Sequence, residues 1–297
     1  MTSRTTSEIG TQPGLWERAA RLATEGHGLP RPGQKVAVVG CGTSWFMAQS
    51  YAALREEAGQ GLTDAFAAAL FPTSRDYDLV VLLSRSGTTT EIVDVALALK
   101  ARDVPTLLIT AVGDGPIAAH VSSEIVLDFA DEVSVVQTRF ATTALSLLRA
   151  SLGVDLTGVV ADACTALDTE IPRSWIDAEQ VSFLGDGWCF GLANEAGLKL
   201  REAAQAWTES YVAMEYRHGP IAIAEPGRLT WVFGTAPVGM AQQVAATGAD
   251  FLTFDLDPMA VLILAQRVAV ARAQARGLDP DNPRHLTRAV ILADQER

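Results

Sequence analysis

The sequence predicts an α/β chain made of two similar doubly wound, flavodoxin-like parallel-sheet subdomains. Three observations predict it. Unbroken Val/Leu/Ile runs alternate with helical patterns, the mark of parallel strands buried on both faces. That alternation occurs twice, in the same order. The length of 297 residues, with 48% hydrophobic and 20% charged, suits two domains at about 100–200 residues each.

The elements follow in order. Residues 1–35 set Thr, Ser, Gly and Pro around one amphipathic stretch, LWERAARLATEG, and read as a leader with one helix. VAVVG (36–40) is a buried strand, followed by a Gly-rich turn and a helix to about Arg55. LVVLLS (79–84) is the next strand, with RSGTTT as its turn and Glu91 to Lys100 as its helix. VPTLLIT (104–110), EIVLDF (124–129) and a helix near Thr142 to Leu152 complete a first subdomain over 36–155. Residues 156–178, with VVADACTALDTEI and Pro172, form a helical linker. The second subdomain, 179–297, repeats the first. VSFLGDGWCFGLA (181–193) lies 145 residues after VAVVGCGTSWFMA, with both turn glycines in register. LTWVFG (229–234) answers LVVLLS, DFLTFDL (250–256) answers VPTLLIT, and a long helix begins near Met259.

Composition narrows the function. Lys and Arg number 23 against 35 Asp and Glu, a net charge of -12. Nucleic acid and anionic membranes demand a cationic surface, so neither is an expected partner. Three cysteines, Cys41, Cys164 and Cys189, are too few and too scattered for a disulfide framework or a CxxC metal site. The N-terminus lacks a signal-peptide core, and no run of about 18 apolar residues occurs, so a cytoplasmic location is expected. No metal and no cofactor is expected.

The turns carry the candidate site. Gly40-Cys41-Gly42-Thr43-Ser44-Trp45 begins like a dinucleotide fingerprint, but Trp45 stands where the third glycine allows close helix packing. A plain strand-to-helix turn needs the same glycines; the functional reading rests on Thr43 and Ser44 at a helix N-terminus, beyond a strand's carboxyl end. The next turn, Ser84-Arg85-Ser86-Gly87-Thr88-Thr89-Thr90, packs five hydroxyls and one Gly before a helix. One hydroxyl suffices to cap a helix, so five indicate an anion cradle of hydroxyls and backbone N–H groups. In the second half, Glu195, Lys199 and Glu202 fall at i, i+4 and i+7 on one helical face, beside an apolar stripe of Ala196, Leu200, Ala203 and Trp207. A solvated Glu-to-Lys pair is the plain reading of that face. His218 sits in YRHGP at a Gly-Pro turn, and alone it is as readily structural as catalytic. A carboxylate and a His near a phosphate site are nevertheless the minimum for moving protons on a sugar phosphate.

Together these segments resemble the sugar isomerase (SIS) domain family, and within it the isomerase half of the glucosamine-6-phosphate synthases. The markers are GCGTS at 40–44, SRSGTT at 84–89, EAGLKLRE at 195–202, RHGP at 217–220 and DNPRHLTRAV at 281–290, including the 16 residues from Glu202 to His218. By that resemblance Ser44, Ser84, Ser86 and Thr89 bind a sugar phosphate, with Thr43, Arg85 and Thr88 in the same turns. Arg85 stands where the synthases have Gln, and Thr88 where SxSGET has Glu. Val135 and Gln137 lie in a substrate-contact segment, Gln137 in place of Ser. Glu202 matches the base that moves a proton between C1 and C2, Lys199 the lysine beside it, and His218 the ring-opening histidine. The family's site sits between two subunits, which implies a homodimer. Only the short leader precedes residue 36, and residue 2 is Thr rather than a nucleophilic Cys, so no glutaminase portion and no ammonia transfer from glutamine are expected.

Arg288 matches the lysine that forms a Schiff base with a ketose in the synthases. A guanidinium stays protonated and cannot act as an amine nucleophile. The expected activity is therefore C2 proton abstraction from a hexosamine 6-phosphate, free or N-acetylated, leading to isomerisation and deamination, with Arg288 or Lys199 facing the oxyanion. Elimination of the C3 hydroxyl, a lyase reaction, is the alternative. A non-catalytic sugar-phosphate sensor is the rival from another class.

Overall fold

A computed structural model describes residues 3–25 and 28–293; residue 2 lies outside them. The chain forms two compact units. Residues 14–133, 139–156 and 287–293 make one, and residues 3–13, 134–138 and 157–286 make the other.

The first described elements are α1 (Arg4–Gly10) and α2 (Gln12–Ala23), two helices where the pattern suggests one. Pro13 has no N–H to offer the carbonyl of Ile9, so the α1 ladder cannot run on, and the Thr11 hydroxyl donates to Glu8 instead, at 2.7 Å. Trp16 on α2 is fully buried and donates its indole N–H to the Thr142 hydroxyl at 2.9 Å.

The first unit's sheet comprises β1 (Val36–Gly40), β2 (Thr63–Ala67), β3 (Leu79–Leu83), β4 (Thr106–Thr110) and β5 (Ser123–Val126), interleaved with α3 (Thr43–Glu57) and α4 (Thr90–Lys100) and followed by α5 (Arg139–Ser151). All pairings are parallel, in the order β2-β1-β3-β4-β5. This is the flavodoxin-like order, whose ligand crevice lies at the carboxyl ends of the strands. The three central strands are buried at every position, while β2 and β5 are partly exposed.

In the second unit, α6 (Thr157–Asp168) and α7 (Arg173–Asp177) precede β6 (Gln180–Gly185), α8 (Cys189–Ala204), β7 (Trp207–Val212), β8 (Leu229–Phe233), α9 (Met240–Ala245), β9 (Asp250–Leu252) and α10 (Pro258–Ala275). The parallel order β7-β6-β8-β9 repeats that of the first sheet with one strand fewer. Asp257 caps α10 through the Met259 N–H at 2.9 Å, and most of α10 from Met259 to Ala273 is buried on every side. One expectation fails here. Trp207 does not extend the apolar stripe of α8; that helix ends at Ala204, Gln205 turns to a left-handed φ of 52°, and Trp207 begins β7, 46% exposed.

Among the described residues, no helix is long and apolar enough to cross a membrane, and no cluster of His, Cys, Asp and Glu is arranged to hold a metal ion.

Candidate functional site

Each turn after a buried strand puts polar groups at a carboxyl edge. In the first unit, α3 starts directly at Thr43, with Thr43 and Ser44 buried at 5% and 6% exposure. A Cβ on Gly40 would lie 2.5 Å from the Ser44 carbonyl carbon, so this turn admits only glycine there. The plain reading of Gly40 thus holds on its own. Between the glycines, the Cys41 thiol lies 3.7 Å from the Glu91 carboxylate. Burial, then the Glu91 charge, push its pKa up to about 12, so at neutral pH it is a protonated thiol rather than a nucleophile.

The 84–90 loop is built from paired hydroxyls. Ser84 Oγ and Thr89 Oγ1 are 3.3 Å apart, and Ser86 Oγ accepts from both the N–H and the hydroxyl of Thr88, at 3.2 and 2.9 Å. Gly87 between them has φ +66°, and a Cβ there would sit 3.1 Å from the Val112 carbonyl. Thr89 is the N-cap of α4, yet its side chain makes no capping bond. Helix capping therefore does not account for these hydroxyls, and a concave set of donors at a helix start can receive an anion.

Arg85 is turned inward, 5% exposed. Its Nη1 is 3.4 Å from Oε2 of Glu132, whose side chain is fully buried, and its Nη2 donates to the Arg288 carbonyl at 2.7 Å. Glu132 also accepts the Arg139 N–H at 2.7 Å. The charge that Arg85 carries is thus matched inside its own unit. Residues 288–292 lie along the same loop: the Val290 carbonyl accepts the Thr90 N–H at 3.2 Å, and the Leu292 N–H donates to the Thr90 hydroxyl at 2.9 Å. The Arg288 guanidinium pairs with Asp131.

In the second unit, α8 brings Glu195, Lys199 and Glu202 together. Lys199 Nζ lies 2.5 Å from Glu202 Oε2 and 3.4 Å from Glu195 Oε1. Lys199 and Glu195 are each 1% exposed and Glu202 21%. This is no solvated face. A buried ammonium is shared by two carboxylates, and the less buried one opens outward. Glu202 lines an open groove of about 470 Å³ with Arg201, Gln205, Arg284 and Leu286. Burial pulls the Arg201 guanidinium below its ordinary pKa, and the charges of Glu202 and Glu195 oppose the shift. The segment carrying Arg284 is anchored by Asp281, whose carboxylate accepts the Arg4 and Thr5 N–H groups at 2.9 and 2.8 Å and the Thr5 hydroxyl at 2.7 Å.

His218 belongs to the same unit but does not line that groove; it is exposed at the end of a 3-10 turn, Met214–His218. Arg217 pins that turn by donating to Gln243 Oε1 at 2.7 Å and to the Val238 carbonyl at 2.6 Å. Val135 gives its N–H to the Asp281 carbonyl at 3.3 Å. Gln137 is half-buried, and its Nε2 has no hydrogen-bond partner among the described residues.

Residues 31–152 match the family model described as the SIS domain. Over that stretch the chain is similar to SIS domains. The isomerizing glutamine–fructose-6-phosphate aminotransferase of Streptococcus mutans is 25% identical over 263 residues, which take in 72% of this chain and 44% of that protein. Its counterpart in Sulfurisphaera tokodaii is 23% identical over 295 residues, 87% of this chain and 50% of that protein. The chain thus spans about half the length of these relatives. Among solved structures, glucosamine-6-phosphate deaminase from Thermotoga maritima superposes with a TM-score of 0.84 at 24% identity, covering 98% of this chain and all of that one. The C-terminal domain of glucosamine-fructose-6-phosphate aminotransferase from Francisella tularensis gives 0.81 at 21%, covering 95% and 98%. These likenesses establish the fold.

The expected site residues divide by unit. Thr43, Ser44, Ser84, Arg85, Ser86, Thr88, Thr89 and Arg288 belong to the first, and Val135, Gln137, Lys199, Glu202 and His218 to the second. Four residues of consequence are not singled out by the sequence reading. Glu132 and Asp131 hold the two arginines, while Arg201 and Arg284 share the Glu202 groove. Arg201 and Arg284 do lie inside EAGLKLRE and DNPRHLTRAV, and that position was the available signal. Nothing local distinguishes Asp131 and Glu132 from surface acids.

Proposed function

We propose that this chain is a hexosamine 6-phosphate enzyme that moves the C2 proton of the open-chain sugar, isomerising it and releasing the amine. One observation carries the proposal: Glu202 is held by a buried lysine at 2.5 Å while its carboxylate faces an open groove. A surface pair needs no such burial, and a sensor needs no base. The hydroxyl loop at 84–90 and Ser44 are assigned to the phosphate, His218 to ring opening and Glu202 to the C2 proton. Val135 and Gln137 are assigned to substrate contact.

The steps balance. Glu202 removes the C2 proton of the aldehyde form, giving a 2-amino enolate with its charge on O1. Return of that proton to C1 leaves an iminium at C2, a proton passes from the nitrogen to O1, and water then replaces the nitrogen, releasing ammonia and a ketose phosphate. No Schiff-base lysine is required, which suits Arg288, whose guanidinium is paired with Asp131. Arg288 is accordingly assigned to holding the 288–292 segment rather than to nucleophilic work. The exposure of His218 outside the Glu202 groove of its own chain supports a homodimer in which a second copy completes the site.

Proton NMR in D2O with glucosamine 6-phosphate and its N-acetyl form tests this reading. Exchange at C2 with formation of a ketose phosphate is expected from the wild type, and Glu202→Gln should lose exchange while still binding sugar phosphate. Loss of the C3 hydroxyl in the product would assign the lyase instead. Binding without exchange across both sugars would leave a sensor.

A further inference from the structure

Proton abstraction beside a carbonyl needs two groups, a base for the C–H and a donor for the oxygen that becomes negative. Glu202 is the first. For the second, the chain offers four cations by position, and three are already engaged. The Lys199 ammonium lies between Glu195 and Glu202, at 3.4 and 2.5 Å. The Arg288 guanidinium pairs with Asp131 in the other unit. Arg284 differs. It lines the same groove as Glu202, and its guanidinium makes no hydrogen bond or ion pair with any described residue. Its neighbour in the groove, Arg201, is already donating to the Thr208 hydroxyl at 2.9 Å.

The backbone under Arg284 is fixed in place. Asp281 is tied to the start of α1 by three hydrogen bonds, the Asn282 amide donates to Asp279 at 3.0 Å, and Pro283 is buried. His285, the next residue, holds a left-handed φ of 64°. A non-glycine residue in that region is strained and persists where its surroundings impose it. A guanidinium so presented, sharing a groove with a carboxylate that already has its own partner, leaves proton acceptor and positive charge unpaired with each other.

We propose that Arg284 is a catalytic residue, the group that receives the developing oxyanion. As the C2–H bond breaks and the proton passes to Glu202, its electron pair forms the C1–C2 double bond and the C1 carbonyl pair moves onto O1. Arg284 donates hydrogen bonds to O1 and gives up no proton, since a guanidinium stays charged throughout. The inference rests on the C2-proton chemistry proposed above.

The test compares wild type, Arg284→Gln and Arg284→Ala for C2 exchange of glucosamine 6-phosphate in D2O. Circular dichroism melts check that the variants fold. Both variants should lose about 10²–10³-fold in kcat, the usual consequence of removing one oxyanion donor, while KM moves less than about threefold. Millimolar guanidinium ion should restore part of the rate to Arg284→Ala and none to Glu202→Gln. An unchanged kcat in the Arg284 variants overturns the proposal, and so does a raised KM at constant kcat, which is ground-state binding. Absence of exchange in the wild type would sink the proposed function and this inference together; exchange in the wild type that the Arg284 variants retain in full sinks this inference alone.

Discussion

Arg85 shows how a residue inside a motif loop can be engaged on the loop's inner side. Its place in SRSGTTT suggests a cation for the phosphate, but the guanidinium is buried against Glu132 at 3.4 Å and against the Arg288 carbonyl. On the proposed reading, an anion at the loop would be met by hydroxyls and N–H groups. Removing one partner from a buried pair strands the other charge, at about 3–5 kcal/mol. Glu132→Ala should therefore lower stability by that amount in urea unfolding, and Arg85→Met combined with Glu132→Leu should recover most of it. A loss under about 1 kcal/mol for the single variant would show that the pair is solvated after all. The loop stands out in the sequence, because one cap needs one hydroxyl and this turn has five in seven positions. The sequence could not reveal Glu132, 47 residues away and flanked by Asp131 like any acidic surface pair.

At the level of elements, the central strands were legible, and of the four edge strands two were not. VAVVG, LVVLL and LTWVF are apolar at every position because both faces are covered. TDAFA and WTESYV, which form β2 and β7, bury too little to show an unbroken run, so neither was expected. The sheet order nevertheless follows from them, since each pairs with the first central strand of its sheet. What joins strand to site is the turn. In β1–α3 a Cβ at Gly40 meets the Ser44 backbone at 2.5 Å and the Trp45 nitrogen at 2.7 Å, atoms that cannot swing aside. Gly40→Ala should shift α3 bodily, with a destabilisation of about 1–3 kcal/mol or more. Thermal unfolding would register the loss, and displacement of Ser44 should weaken inorganic phosphate binding by calorimetry. Gly10→Ala, where a Cβ meets nothing within 4 Å, is the control and should leave both unchanged.

For the molecule as a whole, the net charge of -12 bears on macromolecular partners and is silent about small anions. The two units do not follow the halves of the sequence cleanly: residues 3–13 and 134–138 go with the second sheet, and 287–293 with the first. Strand periodicity reads each sheet in turn, but it carries no signal for segments that cross between units. Assembly is the remaining question, and His218 frames it. Glu202 lines its groove with Arg201, Gln205, Arg284 and Leu286, whereas His218 is exposed elsewhere in the same unit. In a twofold dimer that pairs Glu202 of one copy with His218 of the other, Glu202→Gln and His218→Ala are each inactive at both sites. Mixed and allowed to exchange subunits, half of the dimers become hybrids. One hybrid site then carries both substitutions and the other carries neither, so the mixture should regain about a quarter of wild-type exchange activity. A site complete within one chain gives no such recovery. Light scattering, which reports the dimer itself, keeps the two causes of failure apart: a monomer removes the premise, and a dimer without recovery places His218 and Glu202 in the same subunit's site.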